Sequence, residues 1–182
     1  MVVGAAASLD ELLGRASALQ RQGRVEEAIA AYHTVLAAQP NLPDSWYNLA
    51  FLQRHARQFE AALDSYKQAL GAGISRPEEV HLNRAVILSD YLARPDAAEA
   101  DLAAALKINP HYVPAMLNLG NLHEDRGDRE GARSAYEQAL AVEPGSMLAL
   151  ARLAATANIR GKDDPVILRL TKALSRPAMA AS

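Results

Sequence analysis

Apolar residues return along the chain at steps of three and four and break at polar, glycine- or proline-containing stretches. The whole cycle recurs about every 34 residues. Each cycle predicts two helices. In the first, an apolar or small stripe runs from Leu12 through Ala16, through Trp46, Leu49 and Ala50, from His81 through Ala85, and through Met116, Leu119 and Gly120. The second helix carries a small and a bulky residue four positions apart. The pairs are Ala28 with Tyr32, Ala62 with Tyr66, Ala98 with Leu102, and Ala132 with Tyr136, and the alanines recur at steps of 34, 36 and 34. Residues four apart share a helix face. The small residues Ala16, Ala50, Ala85 and Gly120 therefore let the second helix approach, and the bulky residue fills the joint with the next pair.

The punctuation agrees with this reading. Gly23 and Gly127 stand where a first helix must end. Ser8 with Glu11 and Ser75 with Glu78 have the spacing of capping boxes, and Pro43, Pro77 and Pro114 lie near helix starts, where a missing N–H costs little. From Met147, the residues Leu148, Leu150, Leu153 and Ala154 begin a fifth first helix with no second helix of the same kind after it. Pro165 then starts a short basic amphipathic helix with Ile167, Leu170 and Leu174 on one side.

The order W-x-x-L-G-x-x-Y, then A-x-x-x-F, then P resembles the tetratricopeptide repeat. It is carried here by Trp46, Leu49 and Ala50, by Met116, Leu119 and Gly120, by the four Ala pairs, and by Pro40, Pro110 and Pro144. The resemblance implies an all-α fold, a right-handed superhelical solenoid of antiparallel helix pairs with four repeats plus a C-terminal capping helix. The expected organisation is an N-terminal tail (1–8), repeats at 9–42, 43–77, 78–112 and 113–146, a capping helix (147–162), and a short basic helix and tail (163–182). Gln53 and His123 depart from the family's Tyr, Leu102 replaces an aromatic residue, and the third repeat carries about two extra residues near Leu92 to Asp96.

Composition narrows the function. The chain has no Cys and a net charge of −2, so it does not rely on disulfides, and bulk charge recruits neither nucleic acid nor membrane. Charge is uneven, with +4 in residues 151–182 and −6 before them. No apolar run reaches the roughly 18 residues of a membrane helix, and the first eight residues lack the features of a signal peptide, which gives a cytoplasmic expectation. The five histidines (His33, His55, His81, His111, His123) form no i, i+4 pair, so no metal or other cofactor is expected, and no catalytic constellation emerges. Arg126, Gly127 and Asp128 spell an integrin-type tripeptide, but its Gly sits at the inter-helix turn. Asp125, Asp128 and Glu130 lack the spacing of a calcium loop.

The recurring polar feature is an asparagine at 48, 83 and 118, two residues before the small contact residue each time. An amide offers donors and an acceptor together, which suits the main chain of an extended peptide. By resemblance to the family, this face lines a concave groove, and asparagine ladders there bind extended peptides in the tetratricopeptide domain of O-linked N-acetylglucosamine transferase. The expected peptide-binding set is Asn48, Asn83, Asn118 and Asn121, with Tyr47, Phe51, Leu82, Val86 and Arg54; Leu117 borders it. Arg21, Arg54 and His55 make one end basic, while Asp90, Glu124 and Asp125 make the other acidic, so a peptide would run with its acidic part near the second repeat. The carboxylate clamp of chaperone-binding members is absent, because Leu13, Ser17, Glu79 and Asn83 occupy its Lys, Asn and Arg places.

The expected partner is a protein or peptide segment. Two alternatives stand beside this reading. The stretch GKDDPVILRLTKALSRP with the last repeats is similar to the N-terminal region of bacterial tetratricopeptide sulfotransferases, which would make the chain the recruiting part of a larger transferase, either sulfotransferase- or glycosyltransferase-like. A C-terminal face with Ile159, Ile167 and Leu170 would instead pair two copies as a homodimer.

Overall fold

The computed structural model describes residues 7–156 and 165–174. Among them every regular element is an α-helix: α1 (Leu9–Arg21), α2 (Val25–Ala38), α3 (Pro43–His55), α4 (Phe59–Gly71), α5 (Pro77–Asp90), α6 (Pro95–Ile108), α7 (Val113–Asp125), α8 (Arg129–Val142), α9 (Met147–Thr156) and α10 (Pro165–Leu174). Ile159 lies outside the described residues. The chain divides into two compact units, Met1–Arg94 and Pro95–Ser182, so that α5 closes the first and α6 opens the second.

In the first unit each helix packs on the next, from α1 to α5. The capping box at the start of α1 forms: Glu11 N–H donates to Ser8 Oγ (3.3 Å), and Ser8 N–H donates to Glu11 Oε2 (2.8 Å). The second expected box does not. Arg76 is the N-cap of α5, with Pro77 in the first turn and no side-chain cap. Arg76 instead draws the acidic residues that follow, with Nε 3.7 Å from Glu78 Oε1 and Nη1 3.0 Å from Glu79 Oε2. Ala16, Ala28, Ala50 and Ala62 are fully buried at the hairpin crossings, and the rings of Tyr32 and Tyr66 are buried beside them.

The second unit repeats the scheme from α6 to α10. Ala98, Leu102, Ala132 and Tyr136 are buried, and a Cβ added at Gly120 would overlap the Tyr136 ring. Glycine is required there by close approach rather than by backbone conformation. Asp128 caps α8, its Oδ1 accepting from Gly131 N–H at 3.0 Å. That bond, with the His123 ring 2.9 Å from Oδ2, holds the Asp128 carboxyl below the usual carboxylate range. At the C-terminal end, Val166 enters the cluster of Leu150 and Leu153, with Leu170 packed against it. The inward line of α10 is thus Val166 and Leu170, one turn apart, rather than the expected line through Ile167, which is half-buried.

The four turns between first and second helices place one residue at positive φ: Gly23 (70°), Arg57 (60°), Ala93 (51°) and Gly127 (74°). An L side chain in this region costs about 1–2 kcal/mol, and Gly loses about 0.5–1 kcal/mol of that gain through backbone entropy. Arg57→Gly is therefore expected to raise stability by about 0.5–1 kcal/mol, read as a higher midpoint in urea unfolding; a lower midpoint would refute the strain. Gly120→Ala is expected to cost about 1–3 kcal/mol by overpacking. An unchanged urea midpoint would show that the ring moves aside freely.

Candidate functional site

Successive residues of an α-helix are turned by about 100°, so a position two before the small contact residue points roughly opposite the hairpin crossing. That geometry fits Asn48 on α3 and Asn83 on α5, flanked by Tyr47, Phe51 and Arg54 on α3 and by Leu82 and Val86 on α5, all half-buried in the first unit. In the second unit it fits Asn118 on α7, flanked by Leu117 and Asn121.

The three recurring amides are not equivalent. The Asn83 Nδ2 group donates to the Glu79 carbonyl (3.0 Å) and to the Tyr47 hydroxyl (3.2 Å), while Oδ1 accepts from Arg54 Nη1 (3.1 Å). The Tyr47 hydroxyl in turn donates to Glu79 Oε1 at 2.8 Å. Both donors of Asn83 are thus committed inside the first unit. Among the described residues Asn118 bonds only to its own helix, donating from Nδ2 to the Pro114 carbonyl at 2.8 Å. Asn48 makes no hydrogen bond among the described residues. Asn121 faces a ring, its Oδ1 lying 2.9 Å from the Tyr136 hydroxyl.

A second pattern lies beneath these amides. Four residues after the small contact residue, the first helix presents a side chain to the hydroxyl of the buried tyrosine. Tyr32 donates to Gln20 Oε1 (2.7 Å), and Tyr136 donates to Glu124 Oε2 (2.7 Å). In the second repeat this place holds Arg54, which has donors and no acceptor. Arg54 turns to Asn83 instead, and among the described residues the buried Tyr66 hydroxyl has no hydrogen-bond partner. The Tyr66 ring meets Tyr47 edge-on, with centroids 5.7 Å apart, and burial pushes its ionisation well above the ordinary phenol range.

The family-atypical positions also have local partners. Gln53 is buried and accepts from Ser65 Oγ (2.7 Å), while His123 approaches the capping Asp128. In the tripeptide, Gly127 takes positive φ, Asp128 caps α8, and Arg126 pairs with Asp96 and Glu99 of α6. Among the described residues no group of three or more His, Asp or Glu side chains is placed to hold a metal ion, and no helix is long and apolar enough to cross a membrane. Sequence reasoning did not connect Glu79 and the Tyr66 hydroxyl to this face. The legible signal was Arg54, a donor standing where the first and fourth repeats carry acceptors.

Comparison with solved structures places this architecture among known helical repeats. A MamA protein superposes with a TM-score of 0.76 at 22% identity, over 91% of this chain and 90% of that one. YrrB, described as a tetratricopeptide repeat protein with an unusual peptide-binding site, gives 0.68 at 20% identity, over 92% and 85%. PilW, a widely conserved type IV pilus biogenesis factor, gives 0.68 at 23%, over 96% and 81%. At such identities the likeness concerns the fold, an all-α solenoid of helix pairs. Tetratricopeptide repeat models match residues 13–77 and 93–156, leaving out most of α5. Together they cover more than half of the sequence, and the chain belongs to the tetratricopeptide repeat family.

Proposed function

We propose that this protein–protein interaction module holds an extended peptide segment against the outward face of its first helices, where side-chain amides meet the peptide main chain. The observation that supports this most directly is Asn48. The residue is half-buried and its amide is uncommitted among the described residues, so a ligand's N–H and C=O can both be met there. On the second unit, taken by itself, Asn118 offers its oxygen and one amide hydrogen to a peptide. Asn83 contributes by exchange, giving up Tyr47 or Arg54 when a peptide arrives. Phe51, Leu82, Val86 and Leu117 supply apolar contact beside the amides.

Each amide contact is worth about 0.5–1.5 kcal/mol net, so affinity in the micromolar range is expected once ordering costs are met. Asn48→Ala is expected to weaken a selected peptide about two- to tenfold, and more than Asn83→Ala, whose loss is partly offset by freeing Tyr47 and Arg54. The check is a peptide-library screen followed by calorimetry on the single variants and the triple Asn48, Asn83, Asn118→Ala variant. Unchanged binding by the triple variant with unchanged helicity would sink the reading.

Self-association is a second reading, favoured by the exposure of Met147 (43%), Leu148 (57%) and Leu168 (54%) at the C-terminal end. Light scattering over a concentration series is expected to show a mass rising above 19.5 kDa. A constant monomer mass at the highest concentration removes this reading.

A further inference from the structure

At the turn between α3 and α4, a cavity of about 270 Å³ is lined by Arg54, His55, Arg57, Phe59 and Tyr91, all of the first unit. Its chemistry is unbalanced. No carboxylate lines it, and the two acids next to lining residues in sequence are engaged elsewhere, Glu60 by Arg94 at 2.6 Å and Asp90 by the Ser89 hydroxyl, which donates to its Oδ1. Its aromatic wall is a stacked pair, Phe59 and Tyr91, with centroids 4.4 Å apart and planes at 16°, and Tyr91 is 49% exposed. The Arg57 guanidinium lies 5.7 Å from the Phe59 ring centroid, and Arg54 lies 5.9 Å from that of Phe51.

Two blander accounts fall short. Cations at the end of α3 offset the helix dipole, but one residue in the last turn serves that purpose in α1 (Arg21) and α7 (His123), whereas α3 carries Arg54 and His55 there with Arg57 beyond. Nor is Arg57 a good turn residue. It sits at φ 60°, at the place where the first and fourth repeats use glycine, so its side chain is kept against a backbone preference.

We propose that this cavity binds the phosphoryl group of a phosphorylated side chain on a partner polypeptide. Guanidinium forks match phosphate oxygens bidentately. A phosphate monoester carries about 1.5 to 2 negative charges at neutral pH, which suits two arginines better than the single charge of a carboxylate. The stacked rings accept the apolar body to which the phosphate is attached. Arg54 serves both this cavity and the amide network, having donors left over after its bond to Asn83. The site does not depend on the amides reading a main chain.

The experiment titrates phenyl phosphate into the full chain and follows the arginine Nε–Hε and backbone amide resonances by NMR. Benzoate, inorganic phosphate and benzyl alcohol serve as comparison probes. Saturable shifts centred on residues 54–59 and Tyr91 are expected with phenyl phosphate. Benzoate is expected to bind at least about fivefold more weakly, and benzyl alcohol not at all. Arg57→Gly, which suits the turn and leaves the fold intact, and Tyr91→Ala are each expected to weaken phenyl phosphate at least about fivefold. Asn48→Ala, which tests the peptide reading, is expected to leave it unchanged. Absence of saturable shifts, or unaltered affinity in both Arg57→Gly and Tyr91→Ala, would overturn the site, and benzoate binding as tightly as phenyl phosphate would overturn the phosphoryl assignment.

Discussion

The close approach of two helices at a small residue is the constraint on which the rest of this structure depends. Ala16, Ala50 and Gly120 are buried where a second helix crosses, and Ala28, Ala62 and Ala132 answer them with no exposed surface. Such contact draws its strength from many weak atom pairs, so a single added carbon is felt. Gly120 marks the tightest case, because the Tyr136 ring occupies the space where a Cβ would lie. Once the helices are this near, the large residue four places on has one way to point, into the joint with the following helix.

The polar side of the same joints shows how a repeat acquires individuality. Tyr32 and Tyr136 each end on an acceptor from the first helix, Gln20 and Glu124. In the second repeat Arg54 cannot play that part, so it reaches sideways to Asn83 and links α3 to α5 through Tyr47 and Glu79. A network that would have been local to one hairpin becomes shared between two first helices. The Tyr66 hydroxyl, unpartnered among the described residues, is the local cost.

Much of this was legible in the chain. The recurrence of Ala and Tyr at near-constant spacing specified which faces meet, because that pattern encodes packing directly. The capping box at Ser8 was legible for the same reason, being wholly local. Its apparent twin at Ser75 does not form because Pro77 opens α5 with Arg76 as its N-cap, which leaves Ser75 one residue too early, while Glu78 and Glu79 pair with Arg76. Periodicity also could not rank Val166 above Ile167, since neighbours on a short helix differ by only part of a turn. The asparagines were found as a series, yet their inequality depends on what stands across from each, and residue spacing within one helix carries no such information. Tyr91 is a turn residue with no place in the repeat pattern, and its stacking on the Phe59 ring depends on how the chain folds back, which residue spacing does not encode.

The positive-φ turns bear on how the array loosens. Those at Gly23 and Gly127 carry little conformational penalty, whereas those at Arg57 and Ala93 store some, and the stretch from Gln58 to Leu92 lies between the latter two. Opening either turn releases that stored free energy, which lowers the cost of sub-global unfolding for α4 and α5 relative to the hairpins on each side. In amide hydrogen exchange this middle stretch should therefore be the earliest of the buried segments to lose protection, giving a nominally uniform repeat array a built-in weak link.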